Sequence, residues 1–446
     1  MSLGASRLRQ SALAILILAA ASGLLVSCGS NYNNFSTPGL PTQANPATIR
    51  VHVFVSNPLF AISTTTAAVL NVVDGQRDLL SPNVVSVGTI NPSPGAMVLF
   101  PNKKFTLVLD ASGNTLGVVN NVSQSIAQNS SGTSETITLP GFSESVVIAP
   151  DNATGFAAVP SAPVANQSPG VVDVLSLSTN AITATIPVPG ARYLVQSHNG
   201  NRVLVLGSSP NTVTVLTPSS VGTSADPRQE VQSSLFDHPV WGAFSSDDST
   251  AYILNCGPEC GGTAASITLF DVNSNLPGPT IPLDAGTVGL LLNNTLYVAG
   301  TKPGATCAAS STPTLATACG EVSTIDLGTM TVTSTATITD GYHQQIQMGA
   351  NNQLYIGART CTNINVPASG SPGEVRGCLS ILDTGKSSVV IPPAIGDVTG
   401  IQPISRRSVV YVVQGGELQI YDTTTNQLQK NQVNIVGQAI GVLQVD

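Results

Sequence analysis

The sequence predicts an all-β chain folded as one large β-propeller of four-stranded blades, and three observations predict it. Most of the chain consists of short runs of Val, Ile, Leu, Thr and Tyr separated by Gly, Pro, Asn, Asp and Ser. Few stretches carry a helical period. The runs also recur as a unit: a Thr/Val-rich strand, a Gly or Pro turn, a second strand, a polar tight turn, a Tyr/Val strand, a variable loop, and a strand often ending in Asp.

The N-terminus stands apart from this pattern. Arg7 and Arg9 precede an apolar stretch from Ala12 to Leu25, which is shorter than the roughly 20 residues a membrane span needs. Small residues follow, as a signal peptidase requires. Leu25-Val26-Ser27-Cys28 resembles the bacterial lipobox, and that resemblance implies cleavage before Cys28 and diacylglycerol on its sulfur. Two or three acyl chains anchor stably, since each buried methylene contributes roughly 0.8 kcal/mol. Residues 1–27 are therefore expected to be a lipoprotein signal peptide. Residues 28–48, rich in Asn, Ser, Thr and Pro, are expected to be the lipidated cysteine and a flexible tether, leaving 49–446 for the propeller. Gly29 and Ser30, with no Asp directly after the cysteine, point by the same resemblance to the outer membrane, periplasmic or surface-facing. The alternative is an ordinary secretory signal with an incidental cysteine.

Composition narrows the function. Sixteen Lys and Arg stand against 24 Asp and Glu, for a formal charge of −8, two units more negative once Arg7 and Arg9 leave with the signal. This balance argues against a nucleic-acid partner, because phosphate binding depends on clustered cations. Charged residues are only 9% of the chain, against about a quarter in ordinary globular proteins. A surface of neutral hydrogen-bonding residues suits an extracytoplasmic β-protein.

The clearest repeat is ATIPVPGARYLVQSHNGNRVLVLGSSPNTVTVLTP, from Ala184 to Pro218. Its tight turn recurs as Pro101-Asn102-Lys103, Pro150-Asp151-Asn152, His198-Asn199-Gly200, Ser246-Asp247-Asp248, Asn293-Asn294, Asn351-Asn352 and Ser405-Arg406-Arg407. The strands that follow, TLVLD, GFAAV, RVLVL, AYIL, TLYVAG, QLYIG and VVYVV, read as edge-type strands. Fourth strands end at Asp271, Asp326, Asp383 and Asp422, where Asp is expected to start a turn rather than bind a ligand. Seven units begin near Val84, Glu135, Ile182, Glu230, Pro279, Met330 and Ser387. Two N-terminal and two C-terminal strands remain, enough for a composite blade that closes the ring and removes its edges. The count is eight blades, with seven as the alternative.

These units resemble the YVTN-type β-propellers, whose repeat runs roughly as T-I-x-V-G-x-x-P, a strand, S-P-D-G, a Tyr-Val strand and V-x-V-I-D. The resemblance covers nearly all of 49–446, though no copy spells the whole motif. It implies the propeller fold and leaves the activity open.

Six cysteines follow Cys28 as local pairs: Cys256 with Cys260, Cys307 with Cys319, and Cys361 with Cys378. Each pair lies between the third and fourth strands of successive repeats. In an oxidising compartment, three local disulfides on one face and one sector are expected. Metal binding is the alternative for Cys256 and Cys260, but no second ligand pair is near in sequence. The stapled loops would form a recognition surface or protect long loops from proteolysis.

Catalytic signatures are sparse. There is no nucleophile elbow, phosphate loop or zinc-helix motif, and only four histidines. His238 and His343 lie between the first and second strands of their repeats; on the expectation that first strands line a propeller's central channel, these two and Asp397 are the channel candidates, with a hydrogen-bonded structural role as the plainer reading. His52 and His198 read as strand and turn residues, and Trp241 as packing between blades. No catalytic residue, metal or cofactor is assigned. The expectation is an envelope binding module for a glycan, a peptide or another envelope protein. A propeller enzyme, of lactonase or quinone-dehydrogenase type as the resemblance suggests, and a scaffold subunit of an outer-membrane assembly are the alternatives.

Overall fold

A computed structural model describes residues 43–62, 65–87, 94–110, 114–128, 136–207, 211–304, 319–362, 364–366 and 374–446. Cys28, Cys307 and the expected signal peptide lie outside the described residues. The chain forms eight antiparallel blades. Their inner strands are Pro94–Leu99, Ser145–Ile148, Ala191–Gln196, Pro239–Phe244, Val288–Leu292, Tyr342–Met348, Val398–Pro403 and, in the closing blade, Gly441–Gln444. We number the closing blade 1 and the others 2 to 8 in chain order.

Alternation along the second strand of each blade builds the core. In blade 4, Val203 and Val205 pack towards blade 3 while Leu204 and Leu206 pack towards blade 5. In blade 8, Val410 and Val412 face blade 7, whereas Val409, Tyr411 and Val413 face blade 1. Because side chains alternate across a strand, one apolar run serves two interfaces. The described residues gather into eight hydrophobic clusters, each drawn from two neighbouring blades. This corrects the edge-type reading of TLVLD, QLYIG and VVYVV, which are interior strands buried along almost their whole length. The true outer strands are Thr-rich and mostly solvated, as in Thr331–Ile338.

The tight turns behave as their residues dictate. Lys103, Asn152, Gly200, Asp248, Asn293, Asn351, Asn352 and Arg406 all take positive φ in the turns between inner and second strands. Gly200 also abuts Pro150, which a Cβ there would approach to 2.9 Å. A second series sits between third and outer strands, where Asp78, Asn275, Met330, Ser387 and Asn426 take positive φ. Each lies four residues after an Asp that ends its strand. Asp271, Asp326, Asp383 and Asp422 each accept backbone N–H bonds within that turn, as turn-starting aspartates do.

The sequence repeat and the hydrogen-bonded sheet are out of phase by one strand. The first strand of each repeat is the outer strand of the preceding sheet, so each repeat bridges two blades. Closure therefore joins one C-terminal strand, Gly441–Gln444, to three N-terminal ones, His52–Ile62, Thr65–Asp74 and Leu79–Ser86, rather than two to two. Gln427–Leu428 belongs to blade 8 instead. Packed chain also begins before residue 49: Ala44 is buried and its N–H donates to Leu80 O at 2.9 Å.

A latch reinforces the closure. Arg407 of blade 8 pairs with Asp78 of blade 1, its second nitrogen 2.8 Å from Oδ2, and the buried Tyr411 hydroxyl donates to Asp78 Oδ1 at 2.6 Å. His52 N–H and Nδ1 both reach the Asp446 carboxylate. Asp78→Ala would strand a half-buried guanidinium and a buried hydroxyl, at a cost on the order of 2–3 kcal/mol. Denaturant titration should show a lowered midpoint for Asp78→Ala and no change for Arg406→Ala in the adjacent turn.

Candidate ligand-binding site

Antiparallel order puts two kinds of loop on each face of the ring. Inner strands start on the face that also carries the loops between second and third strands. Five inner strands bear an irregularity near that start. The residues left without a partner include Arg192 in blade 4, Val240 in blade 5, Gln344 in blade 7 and Thr399 in blade 8, with a similar break between Pro94 and Met97 in blade 2. A bulge bends its strand and re-aims side chains, and such bulges gather at barrel rims and binding sites. Here they open a channel mouth of about 770 Å³. Tyr193, Trp241, Tyr342, Gln344, Arg359 and Asp397 are among its lining residues.

The charges around the mouth are partly spent on the protein itself. Arg192 binds Glu144 of blade 3 through two bonds of 2.9 and 3.1 Å and lies over the Tyr193 ring, 5.1 Å from its centroid. The Glu144 hydrogen bond pushes the Arg192 pKa up. Tyr193, from blade 4, interacts with Tyr342, from blade 7, and both line the mouth. Burial, then the Tyr342 neighbour, raises the Tyr193 pKa. Phe142, at the same mouth, is 45% exposed.

The three channel candidates have separate positions. His343 lines the channel wall but is buried, and its Nε2 lies 3.1 Å from Thr339 O. A carbonyl accepts only, so Nε2 carries the proton; desolvation lowers the pKa to about 4, leaving the ring neutral at pH 7. Asp397 reaches the mouth, and its Oδ1 accepts the Thr360 N–H of blade 7 at 2.8 Å. His238 is drawn away onto Asp237, 2.8 Å from Nδ1 to Oδ1. The other Asp237 oxygen accepts from Thr263 N–H and hydroxyl and from Ala264 N–H. Burial works against ionisation of Asp237, but His238 and these donors hold its pKa well below the carboxylate range. This pair fixes a loop rather than meeting His343. Trp241 packs between blades as its sequence position suggests: a Cβ on Gly289 of blade 6 would lie 2.8 Å from its ring. Among the described residues no group of three or more His, Cys, Asp or Glu could hold a metal.

The stapled loops share this face. Cys256–Cys260 and Cys361–Cys378 are disulfides. Cys319 is also disulfide-bonded, and its expected partner Cys307 lies outside the described residues. The loops interlock around one sector. Glu259 of blade 5, inside the small disulfide ring, accepts the Thr301 N–H of blade 6 at 2.9 Å. The Thr301 hydroxyl donates to Gly341 O of blade 7 at 3.0 Å. Asp340 accepts both the N–H and the hydroxyl of Thr362, and the Asp397 bond to Thr360 carries the chain of contacts to blade 8. Sequence reasoning placed the cysteines but missed Glu259, whose role depends on a neighbouring blade.

No family model and no curated protein sequence matches the chain. Solved structures do. The dihydro-heme d1 dehydrogenase NirN, in complex with DHE, superposes with a TM-score of 0.62 at 11% identity, over 91% of this chain and 78% of that one. The likeness is one of fold. Hydrazine synthase of Kuenenia stuttgartiensis matches at 14% identity and a TM-score of 0.47, over 67% of this chain and 78% of that one. A functionally unknown protein from Desulfotomaculum acetoxidans matches at 13% and 0.48, over 89% and 98%.

Burial raises the Glu259 pKa to about 7, against the Thr301 hydrogen bond that lowers it. A raised folded-state pKa makes its contribution to stability full below about pH 4.5 and lost as pH rises through about 7. Glu259→Gln keeps a neutral acceptor throughout. It should match the native protein near pH 5 and exceed it near pH 8 by about 1–2 kcal/mol after allowance for residual exposure, as read from melting curves at the two pH values.

Proposed function

We propose that this protein is an envelope lipoprotein, anchored through Cys28, whose YVTN-type blades present the channel mouth as a ligand-binding site. The observation that carries the reading is the gathering of inner-strand bulges at one mouth, on the face that bears the stapled loops. Bulges sacrifice ladder hydrogen bonds, and those at Val240, Gln344 and Thr399 each place a side chain in the lining of that mouth. Interlocked loops then hold that mouth in one shape, which lowers the entropy lost on binding.

The route of the chain supports the anchor. Val51 O accepts from Gly75 N–H at 2.8 Å and Ala44 N–H from the same edge reaches Leu80 O, so the chain joins blade 1 at its turn between third and outer strands. That turn lies on the face opposite the mouth. An entry of the described chain on that face is compatible with a lipid anchor at Cys28 and a partner at the stapled face.

Full-length protein expressed in a double-membrane bacterium with an alkyne-bearing fatty acid should take up label and sediment with membranes. Cys28→Ser should lose both properties. Label retained in Cys28→Ser would sink the anchor.

A further inference from the structure

We propose that the channel mouth binds a neutral saccharide, with sugar rings laid against its aromatic side chains and hydroxyls paired to its planar polar groups; this rests on the binding-site reading above. The mouth presents two kinds of surface. Phe142, Tyr193 and Tyr342 offer aromatic rings that remain partly exposed. Gln344 and Arg359 are exposed and make no side-chain hydrogen bond among the described residues, and there Asp397 accepts through Oδ1 alone. An amide, a guanidinium and a carboxylate oxygen are thus held ready around a ring of aromatic carbon.

A sugar ring matches both surfaces. Its C–H faces are apolar enough to lie on an aromatic ring, while its hydroxyls donate and accept in the plane of the ring. One hydroxyl can donate to Asp397 and accept from Arg359 or Gln344. The cavity of about 770 Å³ falls within the roughly 300–1,000 Å³ of small-molecule sites.

Competing ligand classes fit less well. Arg192 is paired with Glu144, and the other charged residues among the described lining are Arg359, Asp397 and the buried Asp110, one cation against two carboxylates. An anionic ligand would meet Asp397 and the buried Asp110, and a chain of net charge −8, against the Arg359 guanidinium among the described lining residues. A purely apolar ligand would strip water from Gln344, Arg359 and Asp397 and pair none of them, which is costly. An extended peptide gains most of its affinity by adding to a sheet edge, and blade edges lie at the outer rim of the ring.

The test uses full-length protein in detergent micelles. Trp241 is the sole tryptophan and lines the channel, so its emission reports occupancy. It would be titrated with chitohexaose, cellohexaose and maltohexaose, with oligogalacturonate as the acidic counterpart, and the protein then applied to an array of neutral bacterial and plant oligosaccharides. The expected result is saturable binding of a neutral oligosaccharide, weakened about tenfold in Gln344→Ala with melting temperature unchanged, and weakened likewise in Tyr193→Ala. Gln344→Ala alters an exposed bulge residue, so it remains a fair test where Tyr193→Ala fails to fold. Binding of oligogalacturonate alone, or of no array saccharide, overturns the inference. If an envelope protein or peptide instead binds in a manner abolished by Gln344→Ala, the binding-site reading stands and the saccharide inference falls. Binding unaffected by either variant removes the mouth from both.

Discussion

The structure depends on one constraint: the second strand of every blade is apolar on both faces, and a single sheet cannot bury both. Phe156 and Ala158 pack against blade 4 while Ala157 and Val159, from the same strand, pack against blade 2. Every blade therefore needs a neighbour on each side, and the series ends only when the last blade meets the first. That requirement explains why the closing blade is composite and why Asp78, Arg407 and Tyr411 are concentrated at that seam. A ring closed by one C-terminal strand of four residues resists opening only if side chains outside the sheet hold it too.

The same constraint shows which parts of the fold were legible in the sequence. Alternating apolar runs and turn residues with a preference for positive φ are local properties, so strand existence, blade number and the role of Asp271, Asp326, Asp383 and Asp422 could be read directly. The phase between repeat and sheet could not. A repeat beginning at Ile182 looks like a unit because it recurs, yet its first strand hydrogen-bonds to the preceding strands of blade 3. Periodicity measures recurrence and is blind to where a sheet is cut. The reading of VVYVV as an edge failed for a related reason: Tyr and β-branched residues suit any pleated surface, and only the ring shows that both faces are covered.

The candidate site was legible in part. Its cysteines were found by spacing, and two of the proposed pairs are disulfides in the described structure. Residue chemistry alone singled out His238, His343 and Asp397, because histidines and carboxylates near inner strands attract notice. Of the three, Asp397 reaches the mouth and accepts there through Oδ1 alone among the described residues, and His238 is held through Nδ1 by Asp237. Gln344 and Arg359 passed unnoticed, since a glutamine and an arginine in β-rich sequence carry no signature. What distinguishes Gln344 is the one-residue slip between His343–Ala358 and Gln345–Gly357, a property of pairing rather than of sequence.

The stapled loops and the bulges become one device when their bonds are followed. A bulge redirects a side chain but loosens the ladder beneath it, and a loosened inner strand at the end of a channel would fray. On blades 5 to 8 the neighbouring loops are joined to one another by Glu259, Thr301, Asp340 and Asp397, and the disulfides shorten the segments those bonds must hold. Ordering is thus moved from the strand ends to the loops above them. Since charged side chains make up only 9% of the chain, the device relies on carboxylates accepting backbone N–H groups rather than on ion pairs. Such bonds are insensitive to salt in a way that exposed ion pairs are not.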